Sequence, residues 1–185
     1  MSDNSNALPD LMTGSRGKYR WLTSTRHTID NLLALCPELV FGKYLAVTSS
    51  DSGPLQLSEL PHDSGWQSRN GIAYSPQIVS LDLLPPHDLY DEWYVFQKQT
   101  DLGALGQGNI FEAPLSAGQV KTFVNFGSFV FEPIMSDIEK LFWQQLEWVR
   151  PYAYISEIDS CRLTVVCSNE TLVAAIDQKL RLSVH

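Results

Sequence analysis

The sequence predicts an α+β protein: a mainly antiparallel sheet with about three helices packed on it, in a single domain. Three stretches carry that expectation. In WQSRNGIAYS, Asn70-Gly71 is the dipeptide that best tolerates the positive φ angles of a type I′ turn, and apolar or aromatic residues flank it, so a β-hairpin is expected. In EWYVFQ, Glu92, Tyr94 and Phe96 alternate with Trp93, Val95 and Gln97, which leaves both faces largely apolar, as in an interior strand. In SDIEKLFWQQLEWVRP, Ser136 and Glu139 have capping-box spacing, and Ile138, Leu141, Phe142, Leu146 and Val149 form one apolar stripe before Pro151.

Taken in chain order, residues 1–16 are rich in Ser, Asn, Asp and Gly with little apolar periodicity, so they predict a flexible N-terminal arm ahead of a single α+β domain over 17–185. STRHTIDNLLALCP offers Ser24 or Thr25 as an N-cap, with Ile29, Leu32, Leu33 and Cys36 at helical spacing until Pro37. KYLAVTS (43–49) and QIVSLDLL (77–84) read as strands, the second ended by Pro85-Pro86. Residues 101–118 hold four glycines and read as a long loop; their order fits neither a dinucleotide fingerprint nor a P-loop. FVNFGSFVF (123–131) reads as a strand, AYISEI (153–158) and CRLTVVCS (161–168) as a hairpin through Asp159-Ser160, and SNETLVAAIDQKLRL as a closing helix capped by Ser168 or Asn169.

Composition bounds the function. At 185 residues, 44% hydrophobic and 18% charged, the chain can bury a core without staples. The formal net charge is −8, and residues 51–160 hold 5 basic against 15 acidic side chains, a local balance of −10. Such a field disfavours nucleic acid and anionic membranes and favours a basic protein partner. Three cysteines, Cys36, Cys161 and Cys167, with no CxxC spacing predict reduced thiols. With no leader-like start and no membrane-length apolar run, the expectation is a cytoplasmic protein, bacterial in style.

Two readings of the chemistry compete. PHDSGW (61–66) and PHDLYDEW (86–93) each place His-Asp after proline and before tryptophan. His62, Asp63, His87, Asp88 and Asp91 would suit a divalent transition metal, and hence a metal-dependent hydrolase, if the two stretches converge. The other reading takes no cofactor. It makes Asp88, Tyr90, Asp91, Glu92 and Trp93 an acidic-aromatic binding surface on a non-enzymatic interaction protein, an inhibitor- or immunity-like module.

Lesser candidates complete the set. Cys167, at a strand-to-helix junction, is the best thiol for activation. Glu92, Glu112, Glu132 and Glu157 are the carboxylates available for a glycosidase-type pair. Arg16, Lys18, Tyr19, Arg20, Trp21 and Arg26 form the one basic-aromatic stretch. The 137–149 helix, with Trp143 and Trp148, is the candidate homodimer surface.

Overall fold

The computed structural model describes residues 10–48, 60–61, 65–69, 72–86, 92–101, 136–158 and 162–183. Eight strands, β1 (Leu11–Arg16), β2 (Tyr19–Ser24), β3 (Tyr44–Thr48), β4 (Gln67–Arg69), β5 (Ile72–Tyr74), β6 (Glu92–Phe96), β7 (Ala153–Ile158) and β8 (Arg162–Cys167), build one open sheet in the order β1-β2-β8-β7-β6-β3-β5-β4. Every pairing is antiparallel. Helices α1 (Ile29–Leu35), α2 (Ser136–Val149) and α3 (Glu170–Leu182) cover it, which makes the protein mixed α and β as its sequence suggests. Among the described residues no helix is long and apolar enough to cross a membrane.

The two faces of the sheet differ. Toward α1 and α3, Leu22, Val165, Ile155, Trp93, Val47 and Ala73 stand side by side across six strands in an aliphatic core that takes in Ile29, Leu32, Val173, Ile176 and Leu180. Toward α2 the row one residue along is Trp21, Val166, Tyr154, Tyr94, Ala46 and Tyr74, and Phe142, Trp143, Leu146 and Val149 of α2 pack on it. All five residues of β6 are buried because both its faces are covered, as its two-sided apolar pattern predicts.

Local chemistry accounts for the helices. Helix α1 is only seven residues long, and isolated helices of that length are unstable in water. It is held by a capping box between Thr28 and Asn31, and by Glu157 of β7, whose Oε2 accepts the Ile29 backbone N–H at 2.6 Å. The cap is therefore Thr28, not Ser24 or Thr25; Ser24 still belongs to β2. Helix α3 starts at Asn169, whose side chain accepts from Leu172 N at 3.1 Å, one of the two expected caps.

Two further expectations are corrected. Leu11–Arg16, read as part of a flexible arm, is edge strand β1, paired residue for residue with β2. Its polar middle, Thr13-Gly14-Ser15, is permitted because an edge strand is half solvated, and Gly17 at φ +56 makes the turn. Gly14 is required by its neighbour: a Cβ there would lie 2.2 Å from the Trp21 indole across the pair. The segment 77–84 is not a strand. Ile78 is held through backbone bonds with Gly42 and Lys43, Leu81–Leu83 form a 3-10 turn capped by Ser80, and Val79 and Leu81 are exposed. Pro76 and Pro85-Pro86 at its ends supply no ladder donors. The expected strand at 123–131 and the loop beyond residue 101 lie outside the described residues.

Candidate functional site

The stretch 86–93 enters the sheet at its centre. Asp88, Tyr90 and Asp91 lie outside the described residues, whereas Glu92 and Trp93 are 0% and 1% exposed in β6. Glu92 faces α2 and Trp93 the aliphatic core. A binding surface at this point would therefore rest on Asp88, Tyr90 and Asp91, with Glu92 and Trp93 anchoring the strand that follows.

Glu92 is the centre of a buried polar system. In register across β2, β8, β7, β6 and β3 stand Thr23, Thr164, Ser156, Glu92 and Thr48, all at most 2% exposed and all on the α2 side. One residue along the strands, the Tyr154 hydroxyl donates to Glu92 Oε1 at 2.8 Å, and Gln145 of α2 donates its amide to the Tyr94 hydroxyl. The two tyrosine rings meet edge to face, 5.3 Å apart. Burial, with the Glu92 charge added, holds both phenols well above their ordinary pKa, so both are protonated hydrogen-bond donors. The network keeps a carboxyl group in a covered sheet and joins β6, β7 and α2 through side chains. Sequence reading flagged Glu92 alone. Ser156 and Thr164 were visible as polar residues in apolar strands, but strand order was needed to align them with it.

The proposed metal set, His62, Asp63, His87, Asp88 and Asp91, lies outside the described residues. Among those described, no group of three or more His, Cys, Asp or Glu side chains gathers in a metal-binding arrangement. The chain flanking the two Pro-His-Asp stretches is nonetheless joined: Trp66 Nε1 donates to the Leu83 carbonyl at 2.9 Å. That bond lies three residues after Asp63 and four before His87.

Other candidates resolve more sharply. Glu92 and Glu157 cannot form a glycosidase pair, because Glu157 follows Ser156, the partner of Glu92 in the ladder, and so faces the opposite side of the sheet. Glu112 and Glu132 lie outside the described residues. Cys167 is not activated: burial raises its pKa, and its thiol donates to the Asn169 carbonyl at 3.3 Å. Cys36 is buried and likewise raised. Cys161 lies outside the described residues. Trp143, offered for a homodimer surface, is 6% exposed and packs on Tyr19 at 5.7 Å; the Trp148 side chain is outside the described set.

The basic-aromatic stretch is largely matched within the molecule. Arg16 pairs with Glu139 at 2.6 Å, Lys18 with Glu147 at 3.0 Å, Arg20 with Glu170 at 3.5 Å, and Arg26 with Asp10 at 2.7 Å. Tyr19 is buried and Trp21 half-buried, so neither ring stands free for base stacking.

His27 is a buried imidazole with a single consistent hydrogen-bond direction. Ser24 Oγ accepts from Arg26 N–H at 3.2 Å and so donates to His27 Nδ1 at 2.6 Å; Nε2–H then donates to Ser183 Oγ at 3.3 Å, which donates to the Leu180 carbonyl at 2.8 Å. This is a tie between β2 and the end of α3. Ser24 is 1% exposed, so the pair offers no nucleophile to a substrate.

What these arrangements define is an open antiparallel sheet with helices on both faces, an acidic middle segment, and a buried carboxylate–tyrosine network at its centre. Comparison with known protein families, curated proteins and solved structures finds no match to the chain.

Proposed function

We propose that the chain is a non-enzymatic interaction module, inhibitor- or immunity-like, built as one α+β domain, acting in the cytoplasm and taking a basic protein partner. The observation that carries this reading is the distribution of charge. Six of the thirteen basic side chains, Arg16, Lys18, Arg20, Arg26, Lys179 and Arg181, are already ion-paired within the fold, and all six lie outside residues 51–160. Two of the middle's 15 acidic side chains, Glu139 and Glu147, are the partners of Arg16 and Lys18; setting them aside still leaves 13 acidic against 5 basic, and Asp88 and Asp91 come immediately before a strand locked on both faces. A rigid anchor beneath a short acidic stretch lowers the ordering cost of docking.

The test is recovery of partners from a lysate at rising salt, using the native chain and an Asp88→Asn, Asp91→Asn double variant. Charge-steered association loses strength as the Debye length shrinks from about 10 Å at 0.1 M toward about 3 Å at 1 M. A basic protein retained only at low salt and only by the native chain supports the reading. Retention indifferent to both changes rejects it.

The Trp66–Leu83 bond favours one second reading, a metal-dependent hydrolase using His62, Asp63, His87, Asp88 and Asp91 with a divalent transition metal. Stoichiometric metal in the purified protein, a chelator-sensitive melting temperature and loss of metal in His87→Ala would establish it over the first.

A further inference from the structure

Among the described strands, β1 is one edge of the sheet and β4 is the other, and the two are guarded differently. Sheet edges are ordinarily protected by shortness, a proline, a bulge or a charge within the strand. Strand β4 has three residues, the last of them Arg69. Strand β1 has six, LMTGSR, with no proline, an unbroken register against β2 and its one charge at the end. Thr13, Ser15 and Arg16 are exposed, so solvent reaches this edge. The direction of its backbone groups follows from one bond. Thr25 N–H donates to the Asp10 carbonyl at 2.9 Å, and the register carried one step beyond Leu11 and Ser24 sets these two residues opposite each other. Hydrogen-bonded and non-hydrogen-bonded pairs alternate along an antiparallel ladder. Met12, Gly14 and Arg16 therefore bond to β2, whereas the N–H and C=O groups of Leu11, Thr13 and Ser15 point away from the sheet. The turn at Gly17-Lys18 agrees, since a two-residue hairpin turn closes on a hydrogen-bonded pair, here Arg16 and Tyr19.

We propose that the occupant of this edge is a second copy of the chain, its β1 running antiparallel to the first about a two-fold axis at Thr13. In that register Leu11 lies opposite Ser15 and Thr13 opposite Thr13, so every outward N–H of one copy meets an outward C=O of the other. The same register sets Asp10 of each copy opposite Arg16 of the other, and a shift along the strand loses both matches. The two side chains are 52% and 50% exposed, and each already has a partner in its own chain, Arg26 for Asp10 and Glu139 for Arg16. Pairing therefore joins existing ion pairs into rows of alternating charge, Arg26, Asp10, Arg16 and Glu139, without breaking either. Self-repulsion is also lowest here: the chain's net charge is −8, but residues 1–50 hold 5 basic and 4 acidic side chains. The helices leave room. Strands lie about 4.8 Å apart, which puts the two β2 strands roughly 14 Å apart, and α3, which packs over β2 and β8, is a helix about 10 Å across. This interface is separate from the stretch at 88–91 and does not depend on a basic partner there.

The test is sedimentation equilibrium of the full chain from micromolar to millimolar concentration, where the mass should rise from 20.8 kDa toward twice that value. Amide exchange followed by NMR over the same range should show Leu11, Thr13 and Ser15 gaining protection with concentration, while Met12 and Gly14 are protected throughout. Thr13→Pro removes an outward N–H and leaves the β1–β2 ladder intact, so the monomer should keep its melting temperature while the dissociation constant of the dimer rises at least about tenfold. Register is read by crosslinking in a Cys161→Ser background, Cys36 and Cys167 being buried. Residues opposite each other in a hydrogen-bonded pair have Cα atoms about 5.5 Å apart, within disulfide reach, so Thr13→Cys should give a covalent dimer on mild oxidation and Ser15→Cys, which faces Leu11, should not. A mass that stays at the monomer value at every concentration overturns the proposal, even if an added peptide strand is captured at the same edge. So does a dimer that Thr13→Pro leaves unchanged, or one that crosslinks equally through both cysteine variants.

Discussion

The side of the sheet facing α1 and α3 is filled almost entirely by hydrocarbon, whereas the side facing α2 holds a row of hydroxyls, a carboxyl group and hydrogen-bonded tyrosines. Both sides are equally buried, so the difference lies in what specifies them. Aliphatic packing is non-directional and tolerates exchanges of similar volume. The α2 side is directional: Tyr154 must reach Glu92, and Gln145 must reach Tyr94, for its buried polar atoms to be satisfied. One face supplies cohesion, and the other fixes where β6 and α2 sit relative to each other.

The contrast can be broken most forcefully at Trp93. Trp93→Ala on the aliphatic side should cost roughly 3–5 kcal/mol by cavity formation, read from urea unfolding, while Trp93→Phe, keeping much of the volume, should cost far less. The matching experiment on the other side is Tyr154→Phe, which removes a single oxygen from a residue that is fully buried. A loss of about 1–3 kcal/mol is expected because the Glu92 carboxyl loses its donor. If Tyr154→Phe proved neutral, the α2 side would be held by packing alone and the contrast would fail.

Glu157 tests the exception on the aliphatic side, a carboxylate buried there to hold the start of α1. Glu157→Ala should cost about 0.5–2 kcal/mol, the range for loss of an N-cap, with hydrogen exchange rising first at the amides of Ile29 to Leu33. The smallest effect is expected from His27. Its folded pKa is lowered chiefly by burial, and Arg26 beside it acts in the same direction. The unfolded chain therefore binds the proton more readily. The stabilisation is complete above the ordinary histidine value of about 6.5 and is lost as pH falls through 6.5 toward the folded value. Melting temperature followed from pH 7.5 to 5 should decline more steeply in the native chain than in His27→Gln.

How much of this was legible depended on whether the signal was local. The hairpin across Asn70-Gly71, the two-sided burial of β6, helices α2 and α3 and the β7–β8 hairpin each follow from residues close together in sequence. Strand β1 escaped because an edge strand facing water on one side looks like a polar tail, and Gly14 serves an indole seven residues away in the chain. The segment 77–84 misled in the opposite sense: its apolar residues promise a strand, but its backbone bonds run only from Ile78 to Gly42 and Lys43 before Leu81–Leu83 turn as a 3-10 helix. Glu92 was offered for a binding surface and is instead fully buried: Tyr154, which donates to it, is 62 residues away along the chain, and Gln145 is 51 residues from Tyr94, distances that only the folded topology closes. The ion pairs of Arg16 and Lys18 escaped for the same reason, since a sequence shows how many charges there are but not which are matched.

The placement of β8 between β2 and β7 has a consequence for how the chain is made. Trp21 finds its ladder partner in Val166, so among the described strands the β1–β2 hairpin has no neighbour to pair with until residues 162–167 have been synthesised. At about 5–20 residues per second, that interval is on the order of ten seconds on the ribosome. Throughout it, the edge of β2 that β8 will occupy remains open, a row of unpaired amides and carbonyls beside Leu22 and Trp21. Nascent chains of this protein should therefore engage chaperones that shield strand edges, and a stop introduced before residue 162 should leave the hairpin adhesive rather than folded.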